Sequence, residues 1–173
     1  MDSFATCFAF TLRFEGNFTD NQADPGNWTS GEVGHGELRG TKYGISAASY
    51  PTLDIANITL QAAENIYHQD FWVPINGDAL PLPVALASFD AAVNSGVRRA
   101  VIWLQQAVGV QTDGDLGKIT LAAILHGNPL QISQETISRR LEFLTKLPEW
   151  ANFGFGWSRR IVALAGAITE SSI

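Results

Sequence analysis

The chain has 173 residues, a length that suits one domain able to bury its own core without metal or disulfide staples. A composition of 46% hydrophobic and 16% charged residues, with five Trp and ten Phe, excludes a disordered chain, and the single cysteine, Cys7, excludes both an internal disulfide and a cysteine-rich zinc site built with His35, His68 or His126. Eleven basic against seventeen acidic residues leave a net charge of −6, which argues against a nucleic-acid partner, because phosphate neutralisation needs clustered Lys and Arg.

Met1-Asp2-Ser3 offers no basic run and no small-residue cleavage site, so cytoplasmic synthesis without a signal peptide is the expectation. No apolar run approaches the roughly 20 residues needed to span a bilayer, so membrane insertion is not expected either. From Ser3 to Phe14 the apolar residues Phe4, Phe8 and Leu12 recur every four positions, which predicts a helix capped by Gly16. Between Asn17 and Ile45 the pattern gives way to Gly, Asn, Asp and Thr, including Asp24-Pro25-Gly26-Asn27, and predicts turns with a short irregular hairpin. Helices are then predicted over Leu60–Phe71, Pro83–Asn94, Arg98–Val108, Ile119–His126, Ser133–Leu147 and Gly156–Ile168. The fold class is therefore α+β and mainly helical. No repeat or linker marks a boundary, so residues 1–173 read as a single domain.

The candidate chemistry starts at Glu15. An acid that must donate a proton near neutrality is served by apolar neighbours and by the negative end of a helix dipole, and Glu15 has Phe14 and Phe18 beside it at a predicted helix end. A lone Glu of this kind is usually a solvated residue. A second carboxylate, Asp24, follows after eight intervening residues, on the irregular segment. One acid facing one carboxylate across room for a water is what an inverting glycosidase requires, although Asp24 also suits the first position of a turn.

Other constellations are weaker. Gly40-Thr41-Lys42 lacks the residue order and following helix of a phosphate loop, and Asp113-Gly114-Asp115 lacks the closing Glu of a calcium loop, so no metal and no cofactor are expected. The Asn-x-Thr sites at Asn17, Asn27 and Asn57 carry no weight without a secretory signal. Trp28, Tyr43, Tyr67 and Trp72 are candidate sugar-stacking rings, with core packing at least as natural for Tyr67 and Trp72. Asp90 and Asn94 share a helix face, Asp90 suggesting a buried network and Asn94 a substrate contact, while Arg159 or Arg160 could clamp a carboxylate.

Glu15-Gly16-Asn17, Asp24-Pro25-Gly26-Asn27 and Gly40-Thr41-Lys42-Tyr43-Gly44-Ile45-Ser46 together resemble the glycoside hydrolase family 108 muramidases of phages and bacteria. The resemblance continues through Ile66–Trp72, Phe89–Gly96, Trp103-Leu104-Gln105, Asp113–Gly117 and Phe155–Arg160, nearly the whole chain. It implies a lysozyme-like fold of two lobes, a small hairpin lobe and a helical lobe, and cleavage of the β-1,4 bond between N-acetylmuramic acid and N-acetylglucosamine. It also implies Glu15 as the catalytic acid. The stretch of about 71–147 is similar to that family's peptidoglycan-binding segment, read here as the helical lobe.

Two departures stand out, Asn17 where the family has a second Gly, and an insertion over roughly Trp28–Gly40. Related phage lysozymes use a Thr near the acid to hold the attacking water. The motif points to Thr41 for that part, whereas spacing from Asp24 leaves Thr29 or Ser30 open. The resemblance further implies bacterial peptidoglycan as partner, a monomer, and an endolysin that reaches the wall after release by a holin. A lytic transglycosylase acting on the same bond, a non-catalytic wall-binding module and a phage structural protein are the competing readings.

Overall fold

The structure is a computed structural model and describes residues 2–172. Among these residues it contains seven α-helices and one two-stranded antiparallel sheet, a mainly helical α+β fold. The helices are α1 (Ser3–Leu12), α2 (Leu60–Tyr67), α3 (Leu82–Ser95), α4 (Val97–Val108), α5 (Lys118–His126), α6 (Pro129–Thr145) and α7 (Trp150–Glu170), and the strands are β1 (Thr41–Lys42) and β2 (Ile45–Ser46). The chain divides into two compact units, one from Phe8 to Tyr67, the other from residue 68 onward together with the start of α1 up to Cys7.

The helical unit is organised around α3. Its sequence Leu-Pro-Val-Ala-Leu-Ala-Ser-Phe-Asp-Ala-Ala-Val-Asn-Ser is apolar on all sides, and every residue from Pro83 to Ala92 is buried. A helix of this kind needs neighbours on all faces. It packs against α4, α6 and α7. In contrast, α4 is amphipathic and turns only Ala100, Val101, Trp103, Leu104 and Gln105 inward, ending on Gly109 in the left-handed conformation. Phe4 joins this core beside Trp72 and Phe89, with ring centroids 5.5 and 5.9 Å away. Trp72 is fully buried, its Nε1 donating to Asp78 Oδ1 at 2.9 Å, so it is a core residue and no sugar platform. Cys7 is 1% exposed, and burial first, then Asp90 and Asp2, push its thiol up to about 12.

Asp90, in the middle of α3, carries a charge in the centre of this core. Arg140 of α6 donates Nη1 to Oδ2 at 2.7 Å, and Arg160 of α7 donates Nη2 and Nε to Oδ1 at 2.8 and 3.0 Å. One carboxylate therefore ties three helices together. Burial alone would raise the Asp90 pKa, but the two guanidiniums hold it below its ordinary value of 3.8. Arg140 also donates Nη2 to Asn94 Oδ1 at 3.0 Å. Arg159 instead stays exposed and lies over the Phe155 ring at 5.9 Å.

Helix ends differ from the sequence expectation where caps and close packing outweigh the apolar period. α6 starts at Pro129, four residues before Ser133, because Asn128 accepts Gln131 N–H at 3.1 Å as N-cap and proline suits the first turn. α7 starts at Trp150 and runs through Gly154 and Gly156, and the Trp150 ring lies so close to Gly154 that a Cβ there would come within 2.7 Å of it. α2 stops at Tyr67 and passes into a π turn, His68–Trp72. Removing the charge at Asp90 strands two buried guanidiniums, so Asp90→Asn is expected to cost about 3–5 kcal/mol in urea unfolding at pH 7, and a loss below about 1 kcal/mol would contradict this account. Because the folded Asp90 pKa is depressed, its contribution is fully present above 3.8 and lost only as pH falls below that value.

Candidate active site

The unit from Phe8 to Tyr67 holds Glu15, Asp24 and Thr41, and each is placed by short-range backbone chemistry. α1 ends at Leu12, two residues earlier than the apolar period predicts. Beyond it, Arg13, Phe14 and Glu15 donate their N–H groups to Phe10, Thr11 and Leu12 at 3.2, 3.0 and 3.2 Å, each three residues back. The last turn thus tightens into a 3₁₀-like form that carries Glu15 off the helix end. Gly16 is not in the left-handed region, so the cap expected of it is absent and the tightened turn ends the helix instead. Phe14 packs on Phe10 with centroids 5.3 Å apart, and Glu15 itself is half-buried.

The β1–β2 hairpin is the platform on which the candidates meet. Thr41 pairs with Ser46 and Lys42 with Ile45, leaving the two-residue loop Tyr43-Gly44, with φ of +53° and +73°. Two successive positive φ values make a primed turn, whose twist suits a hairpin and which favours Gly at the second position. Thr41 also exchanges backbone hydrogen bonds with Thr19 at 2.8 and 2.9 Å, so the segment after Glu15 forms a third rung on the hairpin. Gly40 makes that rung possible. Its φ is +83°, and a Cβ there would lie 2.6 Å from Thr19 O.

Glu15 lies against the turn end of this hairpin. A Cβ on Gly44 would come within 2.7 Å of Glu15 Oε2 and closer still to the Tyr67 hydroxyl, so both oxygens occupy the space left by the missing side chain. The turn is held by three further contacts. Tyr43 N–H donates to Gly16 O at 3.1 Å, the Tyr67 hydroxyl donates to Tyr43 O at 2.9 Å, and Lys42 reaches Ala56 O at 3.0 Å. Tyr67 is 2% exposed and packs on Phe8, which removes its ring from the set of sugar-stacking surfaces; only the hydroxyl tip reaches the site.

Asp24 sits at the other end of the platform. It caps the short 3₁₀ turn Pro25–Asn27, accepting Gly26 N–H on Oδ1 at 2.9 Å, and is itself exposed. That turn is fastened to the segment just after β2, where Gly26 O accepts Ala48 N–H at 3.0 Å, and the space beside Gly26 is bounded by the Ser46 side chain. Ser46 is the partner of Thr41. Asn27 is completely buried and locks the arrangement, donating Nδ2 to Asn21 O at 3.0 Å and accepting the N–H groups of Arg39 and Gly40 on its carbonyl. Sequence reasoning misses Asn27 because a turn Asn normally faces water.

The insertion from Trp28 to Gly40 closes on itself. Trp28 bridges to Leu38, and Thr29 N–H donates to Glu37 O, while Glu37 N–H donates to Thr29 Oγ1, both at 2.9 Å. The Ser30 hydroxyl donates to His35 O at 2.8 Å. Both hydroxyls are thus engaged within their own loop. Trp28 is half-buried and donates Nε1 to Gln22 O at 2.9 Å, and the half-buried Tyr43 ring has the Lys42 ammonium 5.3 Å from its centroid. Asn94 belongs to the helical unit, where its side-chain oxygen serves Arg140 rather than remaining uncommitted for a sugar. A groove of about 460 Å³ in the hairpin unit is lined by Phe18, Asp20, Leu38, Arg39 and Asp54, and by none of Glu15, Asp24 or Thr41.

The geometry separates glycines that need only backbone freedom from those that also need space. Gly34 has φ of +80° and open surroundings, so Gly34→Ala is expected to cost about 1 kcal/mol of strain. Gly40→Ala adds a clash with the Thr19 carbonyl and is expected to cost at least about 2 kcal/mol, with faster hydrogen exchange at Thr19 and Thr41. Equal losses in thermal unfolding would remove the claim that close approach at Gly40 builds the third rung.

Comparison with known proteins adds to this picture. The family described as "Glycosyl hydrolase 108" matches residues 8–96. The solved structure of SagA from Brucella abortus is similar, with 31% sequence identity and a TM-score of 0.82 over 98% of this chain and 95% of that chain. No curated protein matches the sequence.

Proposed function

Since the chain belongs to the glycosyl hydrolase 108 family, which makes it a glycoside hydrolase directed at peptidoglycan, we propose that it is an N-acetylmuramidase with Glu15 as its general acid. The observation that carries this reading is the Glu15 carboxyl held against the turn of the hairpin at Gly44, with the turn of Asp24 fastened at Ala48, just past the second strand of the same hairpin. An inverting reaction needs an acid and a base on either side of room for a water, and this unit supplies both carboxylates.

In the proposed reaction Glu15 gives its proton to the β-1,4 glycosidic oxygen between N-acetylmuramic acid and N-acetylglucosamine. The bond from that oxygen to the muramic acid anomeric carbon breaks as positive charge develops on the ring. A water held by Thr41 attacks this carbon and passes its proton to Asp24. The product is a strand ending in a reducing N-acetylmuramic acid. Thr41 is favoured over Thr29 and Ser30 because it lies on the hairpin against whose turn Glu15 rests, whereas the other hydroxyls are engaged inside the insertion. Trp28 and Tyr43, both half-buried on this unit, are the proposed sugar contacts.

The whole chain is proposed to act as one catalytic domain. Its 71–147 stretch is not separable from α7, because Asp90 is paired with Arg160 of that helix. Among the described residues no helix is long and apolar enough to cross a membrane. The endolysin reading, with cytoplasmic synthesis, release by a holin and action as a monomer on the wall, rests on the family resemblance.

On purified peptidoglycan, Glu15→Gln is expected to lower the rate of clearance by about 10³-fold or more and Asp24→Asn by about 10²-fold, with Thr41→Ala losing about 10-fold. Thr29→Ala and Ser30→Ala should stay within about 2-fold of wild type. Mass spectrometry of the fragments should show reducing muramic acid ends. Anhydro ends would assign the chain to lytic transglycosylases, and undiminished lysis by Glu15→Gln would remove the acid altogether.

A further inference from the structure

The sequence offers Tyr67 as a stacking ring or a core residue and Gly44 as part of the Gly40–Ser46 motif, and the structure places both in direct relation to the Glu15 carboxyl. Tyr67 closes α2 and its ring is buried against Phe8, 5.3 Å between centroids, so its hydroxyl is delivered by a side chain with little freedom to move. That hydroxyl donates to Tyr43 O at 2.9 Å, the carbonyl of the peptide that joins Tyr43 to Gly44. The hydrogen bond fixes the plane of the peptide. It therefore fixes the direction in which the open side of Gly44 points.

Glu15 Oε2 lies 2.7 Å from the point where a Gly44 Cβ would stand, and the Tyr67 oxygen lies closer still. Real Cβ atoms do not approach other atoms so closely, so the carboxyl and the phenol jointly fill a space that only glycine provides. Backbone freedom alone does not explain this glycine. Gly34 has a comparable φ, +80° against +73°, with nothing within 4 Å of its own missing Cβ.

We propose that Tyr67 and Gly44 are positioning residues for the acid: the buried phenol holds the Tyr43-Gly44 peptide, and the bare Cα of Gly44 seats the Glu15 carboxyl. Neither residue exchanges a proton with the substrate. Their contribution is the placement of Glu15, which rests on the reading of Glu15 as the acid. A carboxyl displaced by about 1 Å from its productive position loses on the order of 10²-fold in rate.

The test is steady-state kinetics on soluble glycan strands, with thermal unfolding recorded for every variant. Gly44→Ala is expected to lower kcat about 100-fold with KM within about 2-fold of wild type, whereas Gly34→Ala, which bears similar backbone strain, keeps kcat within about 2-fold. Tyr67→Phe is expected to lower kcat about 5- to 10-fold at unchanged KM and with its unfolding transition retained. Removing the phenol oxygen also vacates part of the contested space, so Gly44→Ala combined with Tyr67→Phe should lose less than the product of the two single effects. Wild-type kcat in Gly44→Ala, an equal loss in Gly34→Ala, or strictly multiplicative effects in the double variant would each overturn the proposal. Glu15→Gln run alongside separates positioning from acid catalysis. If Glu15→Gln is inactive while Gly44→Ala turns over normally, only the positioning falls; if Glu15→Gln keeps its turnover, the acid assignment falls and the positioning with it.

Discussion

The candidate site depends on one backbone constraint, the pair of positive φ angles at Tyr43 and Gly44. A hairpin with only two rungs has little cross-strand pairing of its own and is marginal in water. It persists because its turn is gripped from outside, by Gly16 O, by the Tyr67 hydroxyl and by the reach of Lys42 to Ala56 O. The Thr19 rung and the Asn27 lock then fix the strands from the other side. Tyrosine is an uncommon residue at positive φ, and the strain of order 1–2 kcal/mol is tolerated because these contacts over-determine the turn.

The helical unit solves a different problem. Asp90 with Arg140 and Arg160 places three charges in a core built mainly of Ala, Val, Leu, Ile and aromatic rings. Such a cluster adds little net stability over well-packed apolar residues, but it is unforgiving of misalignment, since any shift of α3, α6 or α7 leaves a buried charge unpaired. Specific registration of the three helices is what it contributes. Asn94 and its bond to Arg140 extend the network toward the surface end of α3.

Much of this is legible in the sequence where the signal is local. The fourfold period of Phe4, Phe8 and Leu12, the apolar run of α3 and the motif from Gly40 to Ser46 each specify their element, because the residues that decide the structure are neighbours in the chain. Helix starts are harder to read. The apolar period of α6 begins later than its N-cap at Asn128, and Gly154 resembles punctuation although it makes room for the Trp150 ring. At the site, the residue types at Glu15, Asp24 and Thr41 are visible in order, whereas the part played by Tyr67 is not, because 24 residues separate it from the carbonyl that its hydroxyl binds. Asn94 shows the same limit, since a polar residue on an apolar face gives no sign of its partner, an arginine 46 residues away.

Cys7 carries a last consequence. Burial and the Asp90 and Asp2 charges push the thiol up, which keeps it protonated, and at 1% exposure it meets no external partner. In the folded protein Cys7 is therefore shielded from peroxide, from alkylating reagents and from a second copy of the chain. That protection lasts as long as the core around α3 stays closed.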